Sequence, residues 1–147
     1  MAELILPADA ETEAIAYLAE KLGAEPGFES VEVAGSLPAE TTDYEPGPET
    51  VTVAATGGTG RDIAVDVLQL TVTAWAEGPG DELRAYQMAA MVVAHLRAAE
   101  RLGYLGSAPC SRVQVLNLPY KDPDPVTARA RYSATCWVSL RGLVVRA

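Results

Sequence analysis

The sequence predicts a two-layer α+β fold, a mostly antiparallel sheet of four to five strands with two helices packed on one face. Three observations carry that expectation. Two segments show helical spacing of apolar residues and have helix-ending residues at their termini. Two pairs of alternating segments, each joined by a turn, read as hairpins, and hairpins are antiparallel. The element order α–β–β–β–α–β–β then places both helices on the apolar side of one sheet. The chain has 147 residues, 49% hydrophobic and 21% charged, and no linker or internal repeat divides it. Residues 1–147 are therefore expected to form a single domain with a sizeable core.

The first helix opens at Pro7-Ala8-Asp9, with Asp9 as N-cap and Glu11 and Glu13 in the first turn, where the helix dipole favours acids. Ile15, Leu18 and Leu22 form its apolar stripe, and Gly23 followed by Pro26 ends it near Leu22. A short strand is expected from Glu29 to Gly35, with Val31 and Val33 on one face. Leu37 to Thr50 then reads as a long, acidic, exposed loop. Val51–Thr56 and Ile63–Ala76 read as a hairpin whose turn is Gly57 to Asp62. On the second of these strands Leu68, Leu70, Val72, Ala74 and Ala76 share one face, and Gln69, Thr71, Thr73 and Trp75 the other.

Glu77-Gly78-Pro79-Gly80 breaks that strand, and Asp81 is the expected cap of a helix running to about Leu102. Its expected buried stripe is Leu83, Tyr86, Ala90, Val93 and Leu96, with Gly103 at its end. Its many Ala and Met residues suit close packing on a sheet. Arg112–Pro119 and Ala128–Gly142 form the last hairpin, joined through Lys121 to Pro125. The final strand alternates cleanly. Ala128, Ala130, Tyr132, Ala134, Cys136, Val138 and Leu140 face the core, while Arg129, Arg131, Ser133, Thr135, Trp137, Ser139 and Arg141 face away.

Charge narrows the function classes. The net charge is −9, which disfavours a protein that tracks phosphates. Residues 1–50 hold twelve acids and one base, Lys21, and the remaining eight acids share residues 51–147 with ten bases. From Pro125 to the end there are four arginines and no acid. This asymmetry fits either pairing within the chain or two faces that meet between copies. No run of 18 apolar residues is present, so no membrane span is expected, and residues 1–7 lack the character of a secretory signal.

Motifs of catalysis are missing. The one histidine, His95, sits inside a helix, and Cys110 and Cys136 are expected as reduced, buried thiols. Gly57-Gly58-Thr59-Gly60-Arg61 lacks the Gly-Lys-Ser/Thr ending of a phosphate loop and sits between strands, so it reads as a turn. Asp122 and Asp124, each followed by proline, also read as a turn rather than a metal site. No catalytic, cofactor-binding or metal-ligating residue is expected, and the chain is not expected to be an enzyme. The polar sheet face is more informative. Trp75 and Trp137 share it with Arg129, Arg131 and Arg141, and tryptophan and arginine are enriched at protein interfaces. Either a partner meets this face or a loop of the same chain covers it.

Four stretches carry a resemblance that spans nearly the whole chain. They are Leu6-Pro7-Ala8-Asp9-Ala10-Glu11 leading into Ala16-Tyr17-Leu18; the hairpin from Val51 to Gly58 and from Ile63 through Thr73-Ala74-Trp75-Ala76; the Ala-rich helix after Asp81; and Asp124-Pro125 with Ala130-Arg131-Tyr132 and Val138-Ser139-Leu140-Arg141-Gly142. In order and spacing the chain resembles the tail terminator proteins of long-tailed bacteriophages, especially those of high-GC hosts. The loop from Leu37 to Thr50 departs from that pattern in being longer.

The resemblance implies a structural virion protein at the head–tail junction, assembled in the host cytoplasm. Such a protein forms a homohexameric ring on the head-proximal end of the tail tube, stops tube polymerisation and offers a docking surface to the head. Its implied partners are copies of itself, the tail tube protein and head completion or connector proteins. DNA is passing cargo only, with no membrane and no cofactor involved. Candidate subunit-interface residues are Arg129, Arg131, Arg141, Trp75 and Trp137, with Glu40, Asp43, Glu45 and Glu49 as acids of a neighbouring copy that the arginines would face. The competing expectation is a head–tail connector, stopper or other tail-completion protein of the neck. A small ligand-binding or enzymatic α+β domain would need converging polar groups that the sequence does not name.

Overall fold

A computed structural model describes residues 2–37, 48–126 and 128–146. The chain runs β1 (Leu4–Leu6), α1 (Ala10–Gly23), β2 (Glu32–Ala34), β3 (Thr50–Gly60), β4 (Val65–Trp75), α2 (Glu82–Leu102), β5 (Tyr104–Leu105), β6 (Ala108–Lys121), β7 (Arg131–Arg141) and β8 (Leu143–Arg146). Six strands form one curled sheet in the order β2-β3-β4-β7-β6-β5, and β1 pairs with β8 in a separate two-stranded ribbon. The two-layer α+β expectation is met, but the strand count is not four to five. The sheet is mostly antiparallel, as expected, the exception being β2 and β3, which run parallel. Adjacent parallel strands need a return path of a dozen or more residues. Residues 35–49 supply that length, which gives the long acidic stretch a topological reason.

Both helices lie on one face and share a single core. Tyr17, Leu18 and Leu22 of α1 and Met88, Val92 and Leu96 of α2 pack with Val51, Val53, Leu70, Val72, Val138 and Leu140 of the sheet. The start of α1 is as expected: Thr12 donates its backbone N–H to Asp9 Oδ1 at 3.1 Å and its hydroxyl to Oδ2 at 2.8 Å. Those bonds hold the Asp9 carboxyl below its ordinary range. The end of α2 is also as expected, with Gly103 in the left-handed region at φ 84° and its N–H bonded to the Ala99 carbonyl.

Four local expectations are corrected. Asp81 makes no side-chain cap to α2, because its carboxylate instead accepts from the Gly78 N–H at 3.1 Å. The buried stripe of α2 is Ala85, Met88, Ala89, Val92, Val93, Leu96 and Ala99. Small residues bring this helix close to the sheet, which rotates Leu83 out to 69% exposure; Tyr86 is also exposed, with its ring edge-on to Tyr132 at 5.6 Å. The stretch Gly57–Gly60 is strand, not turn. A bulge between Ala55 and Gly58 absorbs it, and a Cβ on Gly58 would stand 2.5 Å from the Val67 carbonyl oxygen. The reversal falls at residues 61–64, where Asp62 Oδ1 accepts from the N–H groups of Ala64 and Val65. Finally, Ala128 lies before β7 with φ 57°, outside the alternating strand.

Candidate subunit interface

The sheet face away from the helices is built by register. Trp75, Thr73, Thr71 and Gln69 of β4 stand opposite Arg131, Ser133, Thr135 and Trp137 of β7. Thr135 and Trp137 in turn stand opposite Asn117 and Gln114 of β6. The face is therefore hydroxyl- and amide-rich, with a tryptophan in each of two strands. It is less solvated than clean alternation implied, since Ser133, Thr135 and Ser139 are buried. Position decides this, because β7 is central and larger neighbours on both sides close over its short side chains. Thr73 and Ser133 hydroxyls lie 3.1 Å apart, and Trp75 Nε1 donates to Thr52 Oγ1 at 3.1 Å. Trp137 Nε1 is buried and has no hydrogen-bond partner among the described residues.

The expected arginines divide. Arg129 is only 5% exposed. Its Nε donates to the Ala76 carbonyl at 2.8 Å and Nη2 to the Pro48 carbonyl at 3.2 Å. Arg131 Nε donates to the Asp122 carbonyl at 2.6 Å, and Nη2 lies 3.3 Å from Asp122 Oδ1. Both guanidinium groups sit over the Trp75 ring, at 5.5 Å for Arg129 and 4.7 Å for Arg131. Arg129 thus faces partners in its own chain, and burial removes it from the set of exposed contact residues. Asp122 also accepts from the Ser133 hydroxyl, which makes it a tie between the β6–β7 connection and β7 rather than only a turn residue. Arg141, at the far end of β7, is exposed. It borders a groove of about 240 Å³ with Leu6, Asp9, Glu13 and Leu143.

Of the four acids, Glu40, Asp43 and Glu45 lie outside the described residues. Glu49 is half-buried and is held by Arg84, a residue that no sequence pattern singled out. Arg84 also donates to the Gly27 carbonyl at 2.7 Å and lies over the Phe28 ring at 4.6 Å. The end of the long loop is therefore clamped on two sides, by Arg84 at Glu49 and by Arg129 at Pro48.

Further surfaces carry exposed apolar groups. The β1–β8 ribbon shows Leu4, Leu6, Leu143, Val144 and Val145, and β6 shows Leu116, Leu118 and Tyr120. For β6 a sequence signal existed: alternation fails after Val115, where bulges interrupt the pairing with β7. The remaining titratable candidates are tied into the fold. His95 Nε2 lies 3.1 Å from Glu25 Oε1, and its carbonyl accepts from the Tyr17 hydroxyl at 2.6 Å. Cys110 and Cys136 are buried free thiols, and burial pushes Cys136 up to about 12. Among the described residues no group of three His, Cys, Asp or Glu side chains is placed to hold a metal ion, and no helix is long and apolar enough to cross a membrane.

No family model matches this chain, and no curated protein matches it. A solved structure does. A chain in a structure described as the virion of a native gene transfer agent particle aligns with a TM-score of 0.62 over 92% of this chain and 100% of that one. The identity is 14%, so the likeness is one of fold.

Proposed function

We infer that this chain is a structural, non-enzymatic protein of a tailed virion, acting as a tail terminator. It forms a homohexameric ring that caps the head-proximal end of the tail tube, ends tube polymerisation and presents a surface on which head completion proteins dock. The observation that carries this reading is the end-to-end correspondence of fold with a chain of a gene transfer agent virion. The resemblance of the four sequence stretches to tail terminators narrows it from virion protein to terminator.

Three physical features support the reading. The described surface offers hydrophobic edges and ribbons, as a protein completed by neighbours does. The acidic balance, with a net charge of −9, suits a ring through which DNA passes without being gripped. Opposite charge at the two ends of the chain suits a head-to-tail contact, the kind that closes rings.

Disruption of the gene followed by electron microscopy of the lysate tests the proposal. Overlong tails without heads are the expected outcome. Tails of normal length beside separate DNA-filled heads would replace it with a connector or stopper role at the neck.

A further inference from the structure

The six-stranded sheet ends in two unlike edges. At one end lies β2, whose Glu32 N–H bonds inward to the Glu49 carbonyl. Alternation of the backbone then turns the Val33 N–H and C=O outward. At the other end β5 covers only Ala108 and Pro109 of β6. Beyond them the outward N–H of Cys110 is taken by the Gly103 carbonyl at 3.0 Å and that of Val113 by Glu100 Oε1 at 2.9 Å, and from Gln114 to Lys121 no described strand pairs with the outer side of β6. Pro119, which has no N–H to donate, is at home on such an edge. An open edge of this length is a template for another strand.

The chemistry of the two edges is complementary. Residues 25–34 carry Glu25, Glu29 and Glu32 and no base, whereas residues 108–121 carry Arg112 and Lys121 and no acid. Lys121 is engaged by Glu82 at 2.7 Å, so Arg112 is the base that the β6 edge offers; two β2 edges would repel, while β6 against β2 brings Arg112 to the acids. The β6 edge adds Leu116 at 52% and Leu118 at 59% exposure, apolar area that a monomer has no use for.

Strand direction fits as well. Along the sheet β2 and β3 point one way, β4 the other, β7 back again and β6 opposite to it. A rotation about an axis along the strands preserves those directions. The β6 of one copy then meets the β2 of the next antiparallel, the stronger pairing.

We propose that the outer edge of β6 in one copy pairs antiparallel with the outer edge of β2 in the next, joining the sheets of neighbouring copies into a continuous band. This rests on the ring reading above. The contact is heterologous, so its repetition closes a ring or runs on as a filament, according to the rotation per step. Because β2 has three residues, the backbone pairing is short, and Arg112, Leu116 and Leu118 supply much of the contact.

The test is cross-linking in particles assembled from full-length variants carrying Glu32→Cys, Leu116→Cys or both, treated with a short bis-maleimide. The native thiols, buried at Cys110 and Cys136, stay silent. A covalent ladder in the double variant and in neither single variant is expected. Dimers from Leu116→Cys alone would show like edges meeting and overturn the proposal. Rings visible on tail ends with no ladder overturn the edge pairing and leave the terminator reading standing. A ladder in assemblies that never appear at tail ends supports the pairing and removes the terminator reading. Absence of any assembly overturns both. As an independent readout, Arg112→Glu should lose assembly and Arg112→Glu with Glu32→Arg should regain it; no recovery counts against the charge pairing.

Discussion

Arg84 grips Glu49 through two hydrogen bonds, Nε to Oε2 at 2.6 Å and Nη2 to Oε1 at 2.9 Å. The pair joins α2 to the first residues leading into β3, and it raises the Arg84 pKa, chiefly through that hydrogen bonding. Planar, two-pronged geometry in a half-buried setting makes this a stronger tie than an ordinary surface ion pair. Arg84→Ala should lower stability by about 2 kcal/mol, in the range for hydrogen bonds to charged groups. Thermal unfolding measures it. A double-mutant cycle with Glu49→Ala should show that the double variant costs clearly less than the sum of the singles. Strict additivity would mean that the two side chains do not interact in solution.

Gly58, like Gly106 and Gly142, is a position where neighbouring backbone leaves no room for a side chain. A Cβ there would meet the Val67 carbonyl at 2.5 Å and Leu68 Cα at 3.0 Å, and both are backbone atoms that cannot swing aside. Gly58→Ala should cost about 1–3 kcal/mol, in the range for overpacking, while Gly80→Ala, with open space around it, should be close to neutral. Denaturant midpoints of the two variants check the contrast. Equal midpoints would remove the bulge from the account of the β3–β4 hairpin.

The same hairpin shows which parts of the fold are legible in sequence. Alternation in β4 and the cap at Asp9 are local signals, read correctly because a strand face or a helix end is set by residues close in the chain. The terminal β1 and β8 are defined by partners at the other end of the chain, so no local pattern marks them, and β5 is a two-residue arm of a tight turn onto Ala108 and Pro109, too short to show alternation. The buried face of α2 is likewise set by its fit to the sheet rather than by side-chain size. Leu83 and Tyr86 are the larger apolar side chains, but Ala85 and Ala89 permit the closer approach to the sheet. At the site, Trp75 and Arg131 come together as cross-strand partners of β4 and β7, and Arg129, just before β7, joins them over the same ring. That Arg129 is spent on the carbonyls of Ala76 and Pro48 depends on where the chain turns, which alternation does not encode.

Burial sets an alkaline limit on stability. The Cys136 thiol rises from 9.0 to about 12, chiefly by desolvation, and Cys110 moves in the same direction. Between those values the folded chain keeps a proton that the unfolded chain releases. Stability is therefore full below pH 9 and falls as pH rises toward 12, by up to about 1.4 kcal/mol per pH unit for each such group. Urea unfolding from pH 8 to pH 10.5 should show this decline, and Cys136→Ala should flatten it while lowering the starting value. An unchanged slope in that variant would mean that the thiol ionises in the folded state.

Arg129 and Arg141 separate folding from assembly. Arg129→Ala removes a buried guanidinium from the carbonyls of Ala76 and Pro48 and from the Trp75 ring. It should destabilise by about 2–3 kcal/mol, as losing hydrogen bonds made by a buried charged group does, so loss of assembly in that variant is read against its unfolding midpoint. Arg141 is exposed at the end of β7, beside the groove bordered by Asp9 and Glu13. Arg141→Glu should leave stability within about 0.5 kcal/mol of the parent, as surface changes usually do. If Arg141 meets an acid of a neighbouring copy, the same variant should be depleted from purified particles by immunoblot. The depletion of Arg141→Glu should be complete at low salt, where the parent gains most from the pairing, and milder as salt screens the repulsion. Full incorporation of a stably folded Arg141→Glu chain would remove this arginine from the subunit contact and leave the sheet edges as the place where copies meet.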